Sequence, residues 1–102
     1  MPPATEPPLL SVVITAHNEA AHIAATVRAV LGQQGLPGPL ELVLVDDRST
    51  DGTAQAARAV GDDRLRILSA APDPLSALTT RQQALDMAFR AARGRVVLTL
   101  DA

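Results

Sequence analysis

The sequence predicts an α/β fold: a parallel sheet with helices on both faces, which the chain leaves truncated after the fourth strand. Two observations carry this. Residues 10–15, 40–45, 65–69 and 96–100 are short runs rich in Val, Ile and Leu and largely apolar on both faces, the pattern of strands buried in a parallel sheet. Between each pair lies a stretch with apolar residues at helical spacing, so strand and helix alternate, and right-handed crossovers lay the strands parallel.

Residues 1–9 open as Met1-Pro2-Pro3-Ala4-Thr5-Glu6-Pro7-Pro8 and lack the basic and apolar blocks of a signal peptide, so they read as an extended, poorly ordered tail. The first strand ends at Ala16-His17-Asn18-Glu19, where Asn18 is expected to cap a helix with Glu19 in its first turn. Ile23, Val27, Val30 and Leu31 form that helix's apolar stripe, and Gly32, Gly35, Pro37, Gly38 and Pro39 close it into a loop. The second strand runs into Asp46-Asp47-Arg48-Ser49-Thr50-Asp51-Gly52-Thr53. A short helix over 53–60 then points Ala54, Ala57 and Val60 inward, and Gly61-Asp62-Asp63 turns the chain into the third strand. That second Asp pair lies at the opposite end of the sheet from a ligand site and is expected to be solvated. After a loop carrying Pro72 and Pro74, Leu78, Leu85, Ala88, Phe89 and Ala92 are expected to line one face of a third helix, which Gly94 stops. The fourth strand is expected to be buried and ends on Asp101, with only Ala102 beyond it. A domain seldom ends just past a central strand, so an incomplete domain is expected.

The chain has 102 residues, enough for one core. Nine basic residues, all Arg, against eleven acidic ones give a net charge of −2, which provides no electrostatic footprint for nucleic acid. Cysteine is absent, which excludes disulfides, thiolate metal sites and Cys nucleophiles. The longest apolar runs fall far short of the roughly 20 residues of a membrane helix, so no membrane segment is expected within this chain. Phe89 is the single aromatic residue, so the core must be built from small aliphatic side chains and aromatic stacking of a base has no obvious donor.

The most informative stretch is the acidic loop. It places adjacent carboxylates outside the carboxyl end of a strand, where open α/β sheets bind ligands. Such a pair suits ribose hydroxyls, base N–H donors or a metal ion, and suits a bare phosphate poorly. A purely local account stands beside this one, because Asp, Ser and Thr are favoured in turns, and Thr50 or Asp51 would cap the next helix. The segment after the first strand has no glycine and the chain has no lysine, so the dinucleotide fingerprint and the Walker motif are both missing. Recognition of a nucleotide by carboxylates calls for a hard cation on the diphosphate, Mg²⁺ or Mn²⁺, with Asp101 placed to be one oxygen ligand.

SVVITAHNEAAHI, LELVLVDDRSTDGTAQ and ARGRVVLTLDA together resemble the amino-terminal half of the large, family 2 type of inverting glycosyltransferases with a GT-A fold, a Rossmann-like sheet. The resemblance covers residues 10–102. It implies transfer of a sugar from a nucleotide-diphospho-sugar donor, with residues 10–102 as the donor-binding part. Thr15, Ala16, His17 and Glu19 match the first-strand motif and would contact the nucleoside. Asp46 and Asp47 match the aspartates that contact base and ribose, and Asp101 matches the first aspartate of a D-x-D motif holding ribose and metal. Thr79-Thr80-Arg81 resembles the Gly-Lys opening of the third helix in some members, so that Arg81 would supply a cation to the diphosphate.

Four positions qualify the match. His17 stands at a frequent aromatic position and would stack weakly on a base or brace the loop. His22 reads as an exposed or core-edge histidine. Arg48 replaces a commoner glycine and would reach a phosphate or only decorate the loop, and Thr80 replaces the glycine before Arg81. Inverting transfer requires a carboxylate base for the acceptor hydroxyl, and no residue here is assigned that role. The resemblance also implies cell-envelope or polysaccharide synthesis, a lipid or polysaccharide acceptor, and a cytoplasmic setting that includes the inner face of a membrane. Two other readings remain: a non-catalytic nucleotide-binding fragment, and a phosphoacceptor signalling domain, whose acidic pair would follow the first strand and whose lysine is missing.

Overall fold

The computed structural model describes residues 7–101, the side chain of Asp101 excepted; of the expected tail, residues 1–6 lie outside the described residues. The elements are β1 (Leu10–Ala16), α1 (Ile23–Leu31), β2 (Leu40–Asp46), α2 (Thr53–Arg58), β3 (Leu65–Ser69), α3 (Thr80–Ala91) and β4 (Val96–Asp101). All strand pairs are parallel and the sheet order is β3-β2-β1-β4. The chain steps outward from β1 through β2 to β3, and α3 then carries it back across the sheet to set β4 on the far side of β1. That reversal makes a topological switch point beside β1, and ligands of open α/β sheets bind at the carboxyl ends of strands there.

Side chains alternate across a strand, so β1 and β2 feed two cores. On one face Val12, Ile14, Leu42 and Leu44 pack with Ile23, Val27 and Leu31 of α1 and Ala57 of α2. On the other, Val13, Val43 and Val45 lie under Ala84 and Ala88, small residues that let α3 approach closely. Gly94 is required for a similar reason: a Cβ there would meet the Ser11 backbone nitrogen and hydroxyl at 2.6 Å.

Several local expectations are corrected. Asn18 does not cap α1, which starts at Ile23 after an exposed His22 whose side chain makes no cap bond. Glu19 instead accepts the backbone N–H groups of His22 and Ile23 at its carbonyl, so it precedes the first turn. In α2, Thr53 and Ala57 are buried and Ala54 is half-buried. Leu78 precedes α3 and is 47% exposed, and within α3 Phe89 faces outward at 44% exposure while Ala84 takes the inner face. A Thr79–Gln82 capping box sets the helix's start and therefore its rotation. β4 is an edge strand, not a buried one: Val96, Leu98 and Leu100 are 52%, 51% and 44% exposed, because among the described residues no helix packs over that side. Asp62 is paired with Arg64 at 2.8 Å rather than left to solvent. Arg64 also donates to the Leu31 carbonyl at the end of α1.

At the amino-terminal end of the sheet the buried Glu41 carboxylate gathers four segments. It accepts from Ser11 Oγ at 2.6 Å, Arg93 N at 2.6 Å and Arg66 Nη2 at 3.0 Å, while Gly94 N donates to Ser11 Oγ. Arg66 Nη2 also donates to the Ala91 carbonyl. Burial pushes the Glu41 carboxyl up, but the hydrogen bonds from Ser11 and Arg93 and the charge of Arg66 outweigh it and hold the carboxyl below its ordinary value. A carboxyl lowered on folding stabilises the fold above its unfolded value, and the contribution is lost as pH falls through the folded one. Glu41→Gln should therefore cost about 2 kcal/mol near neutral pH, with Arg66 and Arg93 partly solvated, and should flatten the acid limb of the stability profile. Denaturant unfolding between about pH 7 and about pH 3 reads this, and an acid limb as steep as the wild type's would contradict it.

Candidate functional site

A cleft of about 370 Å³ opens at the carboxyl ends of β1 and β2, lined by Thr15, Ala16, His17, Glu19, Asp47, Arg48 and Arg81. The fold thus brings six of the residues expected from sequence, Thr15, Ala16, His17, Glu19, Asp47 and Arg81, to one place. Asp46 stands apart from the lining. Its Oδ1 accepts from Ser49 N at 3.3 Å and its carbonyl accepts from Ala70 N, so it braces the turn and the start of the β3–α3 loop. Asp101 lies opposite Thr15 in the β1–β4 register, which puts its backbone at the cleft end of the sheet. Its carboxylate lies outside the described residues. Among the described residues no group of three or more His, Cys, Asp or Glu side chains is placed to hold a metal ion.

The cleft's shape depends on two interlocked loops. Asp47 N donates to the Ala16 carbonyl at 2.7 Å. His17 Nδ1 lies 2.6 Å from the Asp47 carbonyl, which only accepts, so Nδ1 carries the hydrogen and Nε2 accepts from Asn18 Nδ2 at 3.3 Å. The Asn18 amide is oriented in turn by Thr50 N, which donates to Oδ1 at 2.8 Å. Asn18 adopts φ 54°, a left-handed conformation that asparagine tolerates better than most side chains, and its N–H reaches Ser49 Oγ at 2.9 Å. His17 is exposed and held at both ring nitrogens, which favours the loop-bracing reading of it.

Neither Thr50 nor Asp51 caps α2, whose N-cap is Gly52 with no side-chain cap bond; Asp51 instead ties the two loops together. Oδ1 accepts from Thr53 N and from the Thr53 hydroxyl, while Oδ2 accepts from Ala20 N at 3.1 Å in the other loop. Thr53 Oγ1 takes the Glu19 N–H at 2.9 Å. The Thr53 hydroxyl holds the Asp51 carboxyl below its ordinary value against a smaller desolvation effect, and the Ala20 and Thr53 N–H groups add to it.

Arg48 completes the lining and was only half legible in sequence. Its Nε donates to Asp47 Oδ1 at 2.9 Å and its Nη2 to Thr80 Oγ1 at 3.0 Å. The Asp47 side chain is 9% exposed and that of Arg48 48%. The signal that would have marked Arg48 is its place directly after two carboxylates at a strand end. Arg81 enters from the first turn of α3. Chemically, the cleft joins a buried carboxylate, an acceptor for N–H and O–H groups, to two guanidinium groups whose forked donors match phosphate oxygens.

Residues 11–102 match the family described as glycosyl transferase family 2. The chain belongs to that family. It is 33% identical over 101 residues to the succinoglycan biosynthesis protein ExoO of Rhizobium meliloti, covering 98% of this chain and 27% of that protein. Among solved structures, the mannosyltransferase PcManGT of Pyrobaculum calidifontis in complex with GDP-Man and Mn²⁺ superposes with a TM-score of 0.74 at 30% identity, over 99% of this chain and 29% of that one. Glucosyl-3-phosphoglycerate synthase of Mycobacterium tuberculosis, in complex with Mn²⁺, UDP and glucosyl-3-phosphoglycerate, gives 0.70 at 30% identity over 92% of this chain and 33% of that one. The chain thus spans about a quarter to a third of these relatives' length. Both structures share the parallel α/β architecture, and the phosphoacceptor reading gives way to this family. Among the described residues no helix is long and apolar enough to cross a membrane.

The interlocking of the loops is open to test by amide exchange. In Asp51→Ala, protection of the Ala20 and Thr53 amides should fall about tenfold or more, with the amides at the centre of β2 unaffected. Unchanged protection at Ala20 would show that Asp51 does not tie the two loops.

Proposed function

We propose that this cleft is the donor half-site of an inverting glycosyltransferase, which moves a sugar from a nucleotide-diphospho-sugar to an acceptor. The observation that carries the reading is a buried carboxylate, Asp47, set in one cleft with Arg48 and Arg81, the complement of a nucleoside joined to a diphosphate. The GDP-Man, UDP and Mn²⁺ named with the two structural relatives support it. Asp47 accepts from a base N–H or ribose hydroxyl, the Thr15–Ala16 backbone and Glu19 border the nucleoside, and Arg81 faces the diphosphate. Asp46 holds the turn that presents Asp47, and His17 fixes the Asp47 carbonyl.

A divalent cation, Mg²⁺ or Mn²⁺, would neutralise charge on the departing nucleoside diphosphate, and Asp101 is the residue of this chain that would hold it. A single carboxylate with phosphate oxygens and water completing the shell accords with the coordination habit of Mg²⁺. In the transfer itself the acceptor oxygen bonds to the anomeric carbon as the bond to the diphosphate breaks; the electron pair leaves with the nucleoside diphosphate and the acceptor proton passes to a carboxylate base. The cleft residues all serve the donor, so the 102 residues alone should bind nucleotide without transferring sugar. A lipid or polysaccharide acceptor, and a cytoplasmic setting at the inner face of a membrane, belong to the same reading.

Asp47→Ala should weaken UDP or GDP binding by about 5- to 150-fold, the loss of a hydrogen bond to a charged group at about 1–3 kcal/mol. Calorimetry with unchanged affinity in that variant would remove Asp47 from the site. Mn²⁺ added without nucleotide should bind feebly, since hard cations want several oxygens. Tight paramagnetic broadening centred on Asp101 under those conditions would contradict the shared-ligand reading, and sugar transfer by the chain alone would contradict the half-site.

A further inference from the structure

Arg48 is the residue of the cleft whose backbone and side chain are both unusual. Its φ of 59° lies in the left-handed region, where a side chain longer than that of Asn or Asp is uncommon and where strain persists only when surrounding contacts or function hold it. Its guanidinium faces both oxygens of Asp47, Nε to Oδ1 at 2.9 Å and Nη2 to Oδ2 at 3.5 Å. The carboxylate that would recognise a nucleoside is therefore already engaged by the neighbouring side chain.

We propose that Arg48 makes nucleoside recognition conditional on a diphosphate: it shields Asp47, and moves to the diphosphate oxygens when a nucleoside diphosphate enters, freeing Asp47 for the nucleoside. This rests on the donor-site reading above and adds a specificity-determining residue to it. Three features of the geometry support the exchange. The guanidinium is about half exposed, so rotating it gives up little packing, whereas Asp47 is fixed in the wall. A further hydrogen bond goes to Thr80 on the first turn of α3, adjacent to Arg81, so the side chain spans from the nucleoside wall to the side from which the second guanidinium enters. A diphosphate carries more charge than one carboxylate and more oxygens for a forked donor, so it outcompetes Asp47 for the guanidinium, while an uncharged nucleoside offers nothing in exchange and must compete with Arg48 for the carboxylate. The cleft thereby discriminates against nucleosides through an internal competitor, a repulsive device alongside the attractive contacts.

The test is calorimetry on the 102-residue chain with uridine and UDP, and with guanosine and GDP, in the wild type, Arg48→Gly and Arg48→Lys. Glycine suits the left-handed backbone, so Arg48→Gly should remain folded. It should bind the nucleoside more tightly and the diphosphate more weakly, shrinking the preference for diphosphate by about tenfold or more. Arg48→Lys keeps the charge without the fork and should fall between. In the wild type, the Arg48 Nε–H resonance should move on adding the diphosphate and stay in place with the nucleoside at the same concentration, which the Arg48–Asp47 pair keeps from the carboxylate. Equal weakening of both ligands in Arg48→Gly would overturn the proposal by reducing Arg48 to a general attractor, and an unmoved preference would overturn it while leaving the donor site intact. A wild-type chain that binds neither UDP nor GDP would overturn both.

Discussion

β1 and β2 are buried on both faces, and everything polar in this molecule is arranged around that constraint. Val13, Ile14, Leu42, Val43, Leu44 and Val45 have no exposed surface, so a polar side chain along the middle of either strand would lie between two apolar cores without water. Polar groups are therefore displaced to the two ends. Because the strands are parallel, the ends differ: all the amino termini meet at one edge and all the carboxyl termini at the other.

The two ends are finished in different ways. At the amino edge, Glu41 is saturated by Ser11, Arg66 and Arg93, and the network joins β1, β2, β3 and the segment after α3. That is a closed structure whose partners are all internal. At the carboxyl edge, Ser49, Thr50, Asp51 and Thr53 are spent on binding one loop to the other, and Asp47, Arg48 and Arg81 are left facing a cleft. The turn chemistry of the acidic motif thus accounts for Ser49, Thr50, Asp51 and Thr53, while the Asp47 side chain stays at the cleft wall. The turn-forming residues make the cleft rigid, and rigidity is what lets a few polar groups discriminate among ligands.

Membership of glycosyl transferase family 2 gives the cleft its chemical meaning, and the chain's own departures from the family pattern give it individuality. Arg48 matters most among them. Its charged side chain, on a left-handed backbone position, is the group paired with the Asp47 carboxylate. β4 carries the other conspicuous feature, an edge with Val96, Leu98 and Leu100 half exposed on the side that α1 and α2 leave uncovered.

The sequence by itself determined the alternation of strands and helices and their parallel arrangement, because each follows from local patterns: double-sided apolar runs and helical periodicity. Thr15, Ala16, His17, Glu19, Asp47 and Arg81 could be named because their motifs resemble those of a known family, and the fold then brings them to one cleft. Tertiary structure alone decided how those residues divide their hydrogen bonds. Asn18 reads as a helix cap until Ser49 and Thr50, some thirty residues on, supply partners that a local reading cannot see. Asp46 and Asp47 are adjacent and chemically equal, and only the pleat and the turn send one toward Ser49 and the other into the cleft. β4 reads as buried because its composition matches β1, yet burial depends on what lies across the sheet, which no local pattern encodes. Glu41, a lone carboxylate in an apolar strand, signals that a partner must exist; Arg66 and Arg93, distant in sequence, become that partner only when β3 and the end of α3 are laid beside it.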